Sequence, residues 1–220
     1  MNPNWKEIRE RFVRLYVPAV CDVLDGMGYE FQVCNSTLRP LQMGMKLVGP
    51  AFTIKGQRNG HHEFDHKYGI GPKVLDELEE DCVAVYDTSN DPETGHWGEL
   101  WSSGAMSNGC VGCLLDGGIR DTEYILRTGF PMFHKYISPN DALGRFGITE
   151  YQCTVTVGGV IVHPGDYVFG DYDGVVIIPK DIILTVLEKA EEIVEIENHI
   201  RVEVNEGAPL GDLYTKYGRF

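Results

Sequence analysis

With 220 residues, 43% hydrophobic and 24% charged, the chain can bury a sizeable core and has the make-up of an ordinary globular domain, not of a disordered or fibrous protein. Its 33 acidic residues against 19 basic ones leave a formal net charge of −14. Such a surface repels phosphate backbones, and no run of Lys or Arg offers a compensating patch, which argues against nucleic acid as a partner.

The chain opens on MNPNWKEIRERF, polar and charged, and no later window approaches the ~20 apolar residues of a membrane span. This reads as a soluble, cytoplasmic protein without a membrane partner. Ile8, Phe12, Leu15 and Tyr16, then Val20, Val23, Leu24 and Met27, recur at helical spacing, which predicts a helix or helix pair over 4–28 that Pro18 breaks or restarts. In MKLVGPAFTIKG, Leu47–Val48 and Ala51–Ile54 read as strand material around a Gly-Pro turn. KVLDELEE reads as a short amphipathic helix and DCVAVYD as a buried strand ending at Asp87. Leu100 to Ser107 reads as helix, and Cys110 to Leu115 as apolar strand. DGG then turns the chain, with Asp116 as a turn residue, and Arg120-Asp121 start a helix that Gly129 stops.

The stretch CTVTVGGVIVHPGDYVFGDYDGVVIIP reads as three short strands punctuated by Gly and Asp turns, where Asp166, Asp171 and Asp173 hydrogen-bond their own backbone. A long helix follows from Asp181, its N-cap, to about Asn205, and LGDLYTKYGRF ends the chain as a further short helix. Alternating strands and helices, then an all-β stretch, then a long helix, predict an α/β domain on a mixed sheet. Six cysteines (Cys21, Cys34, Cys82, Cys110, Cys113 and Cys153) read as reduced core thiols. Cys110 and Cys113 form a CxxC at a strand entrance rather than at a helix N-terminus, and no second CxxC exists to complete a zinc site.

The strand–helix alternation places Glu99 on one loop and Arg120-Asp121 on the next, beside Gly117-Gly118, where a ligand could approach the backbone. By residue type alone, this acid–Arg–acid set is equally a structural ion-pair network. His96 reads either as a support behind these residues or as a surface histidine. His61, His62, Glu63, Asp65 and His66 lack the paired helical spacing of H-E-x-x-H and read as a solvated loop, with pocket lining and metal binding as the alternatives.

WGELWSSGAMSNGCVGCLLDGGIRD resembles the signature of the RraA-like family, which includes divalent-metal-dependent 4-hydroxy-4-methyl-2-oxoglutarate/4-carboxy-4-hydroxy-2-oxoadipate aldolases. The pattern is an acid, twenty intervening residues and Arg-Asp; Glu99, residues 100–119 and Arg120-Asp121 match it, with Glu where Asp is often seen. AVCDVLDGMGY, LVGPAFTIKG, VGGVIVHPGDYVFGDYDGVVIIP and EKAEEIVEIENHIR extend the resemblance over most of the chain, whereas the His-rich loop departs from it.

The resemblance implies one swivelling β/β/α domain over 1–220, with 181–220 a helical extension against a neighbouring subunit of a homotrimer or homohexamer. It implies cleavage of a 4-hydroxy-2-oxo acid to pyruvate and a second oxo acid, with oxaloacetate decarboxylation through the same enolate. Asp121 would hold Mg²⁺ or Mn²⁺, Arg120 would pair with substrate oxygens, and Glu99 would hold a metal-bound water. The Leu100 and Trp101 N–H groups beyond Gly98 would receive the pyruvate carboxylate. Glu197 from a neighbouring subunit, with Glu195 as second choice, would complete the site. A ribonuclease regulator acting by contact, and a sugar-acid aldolase or hydratase on the same scaffold, are the competing readings. No glycine-rich loop supports a methyltransferase.

Overall fold

The computed structural model describes residues 3–59 and 71–218; the His-rich loop falls outside them. In chain order the elements are α1 (Trp5–Phe12), α2 (Val17–Gly26), β1 (Arg39–Pro40), β2 (Leu47–Arg58), α3 (Lys73–Asp76), β3 (Val83–Asp87), β4 (Gly95–Trp97), α4 (Glu99–Ser107), β5 (Gly112–Asp116), β6 (Gly118–Ile119), α5 (Thr122–Thr128), β7 (Met132–His134) and β8 (Tyr136–Ile137). β9 (Phe146–Tyr151), β10 (Val155–Val157), β11 (Val160–Val162), β12 (Tyr167–Gly170) and β13 (Val175–Ile178) follow. A 3₁₀ turn at Lys180–Ile182 then leads into α6 (Ile183–Asn205) and α7 (Leu210–Tyr217).

An eight-stranded mixed sheet runs β1-β7-β5-β3-β2-β12-β13, with β9 also on β2. Its β7-β5-β3-β2 stretch is parallel, and β12 and β13 continue it antiparallel. The period-two alternation of strands divides the core by face. Ala84, Tyr86, Cys113 and Leu115 pack with Ala105 of α4 and Ile125 of α5, whereas Val83, Val85 and Leu114 face the β10–β11 hairpin. A third cluster joins Phe12, Val20 and Leu24 of the first two helices to Tyr167, Phe169, Val186 and Leu187. Pro18 restarts the chain as expected, in the first turn of α2, where its missing N–H breaks no helical bond.

Several local expectations are corrected by tertiary contacts. Gly49-Pro50 makes no turn: β2 runs unbroken for 12 residues through it. Gly49 is required because a Cβ there would lie 2.6 Å from the Asp81 carbonyl, and Pro50 falls where pairing with β12 ends and pairing with β3 begins. The β-rich stretch contains four strands rather than three, since each of its three turns separates a pair. Asp181 does not cap the long helix; it sits inside the 3₁₀ turn, and Ile182 is the cap. Asp116 is no turn residue but the buried end of β5, ion-paired with Lys135 and accepting the Gly158 N–H at 2.9 Å. All six cysteines are free, with Cys34, Cys82, Cys110 and Cys113 buried. Asp166 and Asp171 do serve backbone N–H groups, of His163 and Lys180 and of Val17 and Asp173. Among the described residues no helix is long and apolar enough to cross a membrane.

Candidate active site

β4, β6 and β8 form a small parallel sheet of their own, so their C-terminal ends emerge side by side. Arg120 N–H donates to the Trp97 carbonyl at 2.9 Å, and Ser138 N–H donates to the Ile119 carbonyl at 2.9 Å. The ends of β4 and β6, the start of α4 and the loop after β8 line a cleft of about 190 Å³ bounded by Gly95–Gly98, Leu100, Trp101, Arg120, Asp121, Asp141 and Ala142. A neighbouring hollow of about 230 Å³ shares Arg120 and Asp121 and is walled by Ile137, Ser138 and Pro139.

Leu100, Trp101, Arg120 and Asp121 therefore share the cleft, and Glu99 meets it through its backbone N–H on Asp121. Gly98 precedes α4 and offers no side chain to cap it; a Cβ there would sit 2.5 Å from Asp121 Oδ2. Its absence lets the Asp121 carboxylate lie across the helix end, where Glu99 N–H points at Oδ2 from 3.4 Å. The helix dipole and the free N–H groups of the first turn favour negative charge there. Asp121 itself adopts φ 57°, ψ 34°, a left-handed conformation that disfavours side-chain-bearing residues by roughly 1–3 kcal/mol and clusters at functional sites.

Arg120 lies between two carboxylates, with Nη1 3.0 Å from Asp141 Oδ2 and Nε 3.6 Å from Asp121 Oδ2. Partial burial opposes ionisation of Asp141, but the Leu143 N–H and the Arg120 guanidinium outweigh it and hold the carboxyl below its ordinary range. Glu99 accepts the Ser103 hydroxyl at 2.9 Å. Beneath the cleft, Trp97 Nε1 donates to Ser102 Oγ, which donates to the Gly98 carbonyl, fixing the turn into α4.

His96 is buried, which removes the surface alternative. Its Nδ1 accepts the Gly118 N–H at 3.2 Å, so the ring proton resides on Nε2, 3.0 Å from Asp91 Oδ2. Burial outweighs the attraction of Asp91 and pushes its pKa down to about 4, leaving a neutral ring at neutral pH. Gly117 and Gly118 make room for the molecule's own core rather than for a ligand: added Cβ atoms would meet Thr88 and His96 at the first, and the Tyr136 ring at the second.

Glu197 stands elsewhere. It is bonded to Tyr16 and Arg201 and lines a separate cavity of about 370 Å³ with Ile200, Val204, Asn205 and Leu210. That cavity shares no lining residue with the Arg120 cleft, so within one chain the two are not brought together. His61, His62, Glu63, Asp65 and His66 lie outside the described residues. Asp141, Ile137, Ser138 and Pro139 belong to the site and escape a sequence reading, because YISPND looks like a turn and only the pairing of β6 with β8 delivers it here. Among the described residues no group of three or more His, Cys, Asp or Glu is arranged to hold a metal.

The RraA-like family model, described as Aldolase/RraA, matches residues 17–177. An uncharacterized protein of Methanocaldococcus jannaschii, MJ0644, is 40% identical over 80% of this chain and 82% of its own. A Halalkalibacterium halodurans protein carrying the name of a 4-hydroxy-4-methyl-2-oxoglutarate aldolase is 31% identical over 80% and 79%. Protein DlpA of Legionella pneumophila is 30% identical over 87% of this chain, which spans only 30% of DlpA. The Streptomyces coelicolor RraAS2 crystal structure, from the RNase ES inhibitor RraA family, superposes with TM-score 0.81 at 24% identity, over 92% of this chain and all of that one.

Proposed function

Since this chain belongs to the RraA-like family, we propose that it is a divalent-metal-dependent lyase that cleaves a 4-hydroxy-2-oxo acid between C3 and C4 and releases pyruvate. The observation that carries the reading is the meeting in one cleft of Arg120, a strained and exposed Asp121, and a helix N-terminus whose own cap residue, Gly98, has no side chain.

The donor set suits a hard cation. Among the described lining residues its available groups are carboxylate oxygens, and the one imidazole there, His96, has its ring nitrogens turned to the Gly118 N–H and to Asp91. Asp121 would hold Mg²⁺ or Mn²⁺, ions that accept one or two protein carboxylates and take their remaining oxygens from water and substrate. The ion, when bound, supplies Lewis acidity toward the 2-oxo oxygen.

The chain's own groups account for the rest. The Leu100 and Trp101 N–H groups at the start of α4 bind the substrate's C1 carboxylate. Arg120 places its planar guanidinium against the oxygen on which charge develops as C3–C4 breaks and the electron pair moves to C3. Glu99, oriented by Ser103, holds the water that takes up the C4 hydroxyl proton. Protonation of C3 then gives pyruvate, and C4 leaves as a carbonyl. Oxaloacetate would lose CO₂ through the same enolate. Because Glu197 lies on α6 away from the cleft, it would serve a neighbouring subunit's site in a homotrimer or homohexamer, with 181–220 as the contacting extension of a single domain.

Purified protein is expected to release pyruvate from 4-hydroxy-2-oxo acids, to stop in EDTA and to recover with Mg²⁺ or Mn²⁺. Undiminished activity in EDTA would remove the metal. No turnover, together with a stable ribonuclease complex in pull-down, would move the chain to the family's inhibitors.

A further inference from the structure

The cleft where the reactive end of the substrate would sit adjoins the hollow walled by Ile137, Ser138 and Pro139, with which it shares Arg120 and Asp121, so among the described residues this hollow is where the tail beyond C4 would extend. Beyond Arg120 and Asp121 its wall is Ile137, Ser138 and Pro139, of which Ile137 is a 59% exposed aliphatic surface, while Leu100, 77% exposed, and Ala142 flank the adjoining cleft. The charge around them is negative: Asp121 and Asp141 line the cleft and Glu99 stands at its edge. Arg120 is the one cation among the described lining residues, and its guanidinium is already shared by Asp141 at 3.0 Å and Asp121 at 3.6 Å. The nearby Arg145 donates to the Asp141 carbonyl, and Arg58 is paired with Asp91 and Glu93.

A second carboxylate on the tail would enter this hollow against Asp121 and the aliphatic Ile137 and Pro139, with Ser138 as a neutral donor and Arg120 already shared by two acids, and so would lose hydration without gaining an unshared counter-charge among the described residues. An alkyl tail of the same length would bury against Ile137 and Pro139 and lose nothing. We infer that the preferred substrate is a 4-hydroxy-2-oxo monocarboxylate with a neutral, apolar tail, cleaved to pyruvate and an aldehyde or ketone, and that Ile137 sets this preference. The inference rests on the aldolase reading and departs from the second acid product that the family resemblance implies.

Two substrates that differ only at C5 test it: 4-hydroxy-2-oxopentanoate, which gives pyruvate and acetaldehyde, and 4-hydroxy-2-oxoglutarate, which gives pyruvate and glyoxylate. With Mg²⁺ present, kcat/KM is expected to favour the pentanoate at least about tenfold. Calorimetric titration with the unreactive pair 2-oxopentanoate and 2-oxoglutarate is expected to show the same order of affinity. A smaller or reversed ratio overturns the inference and leaves the aldolase intact, whereas pyruvate from neither substrate overturns the aldolase reading and this inference with it. Ile137 is exposed enough to accept a longer side chain, and Ile137→Arg is expected to move the ratio about tenfold toward the glutarate. An unmoved ratio would show that the tail does not lie against this residue.

Discussion

Two arginine–carboxylate clusters sit close together in this molecule and are built from the same residue types for different ends. Arg58 pairs with Asp91 at 2.8 Å, and Asp91 pairs in turn with His96 at 3.0 Å. Arg120 pairs with Asp141 and Asp121 at similar range. In the first cluster the acid and the imidazole are wholly buried, and Asp91 also accepts the Thr94 N–H at 3.0 Å. In the second both acids are about half exposed, Asp121 is held in a left-handed conformation, and the cluster lies across the open end of α4. Residue type therefore does not separate strut from site. Full burial with the charges facing one another marks the strut; exposure and a left-handed carboxylate at a helix start mark the site.

Substitution sharpens the contrast. Asp121→Ala is expected to remove nearly all turnover and the response to added metal, a loss beyond the about 10²–10³ that follows removal of one charge-stabilising donor. Steady-state kinetics with metal titration, alongside an unchanged urea midpoint, checks it; a variant that keeps its rate but unfolds early would make this cluster a strut too. Arg120→Ala is expected next, with about 3–4 kcal/mol lost from transition-state stabilisation, seen as a fall in both kcat and kcat/KM. A near-normal rate would contradict its placement against the developing charge.

The buried cluster is expected to respond to pH instead. His96 binds a proton in the native state only near pH 4, whereas in the unfolded chain it does so near the ordinary imidazole value of 6.5. Between those values the unfolded state holds more protons, so stability falls as pH drops from 6.5 toward 4 and is unaffected by this group above that window. The full loss is about 3 kcal/mol, and about 2 kcal/mol of it is expected between pH 7 and pH 5. Urea midpoints at the two pH values measure it, and in His96→Gln the difference should shrink by that amount. An unchanged difference would mean that the ring is not held neutral by burial.

Legibility followed the range of the interactions. Helices α2, α4 and α5 and strand β3 were readable because their signals are local: apolar spacing, Pro18 in a first turn, Gly129 as a left-handed stop. The Glu99/Arg120-Asp121 set was readable because consecutive strand–helix loops open on one side of a parallel arrangement. Asp141, Ile137 and the unbroken passage of β2 through Gly49-Pro50 were not, since two-residue strands carry no periodicity and a Gly-Pro pair reads as a turn until a neighbouring strand claims it.

The amino-acid order by itself determined the α/β class, the long terminal helix and which Arg-Asp pair faces a helix start, because each is written in contacts a few residues apart or in a repeating loop. Which acids are consumed by the core and which remain open was decided only by the tertiary structure. Asp91, Asp116 and Asp121 are the same side chain in sequence, and what separates them is the desolvation and hydrogen bonding supplied by residues far along the chain.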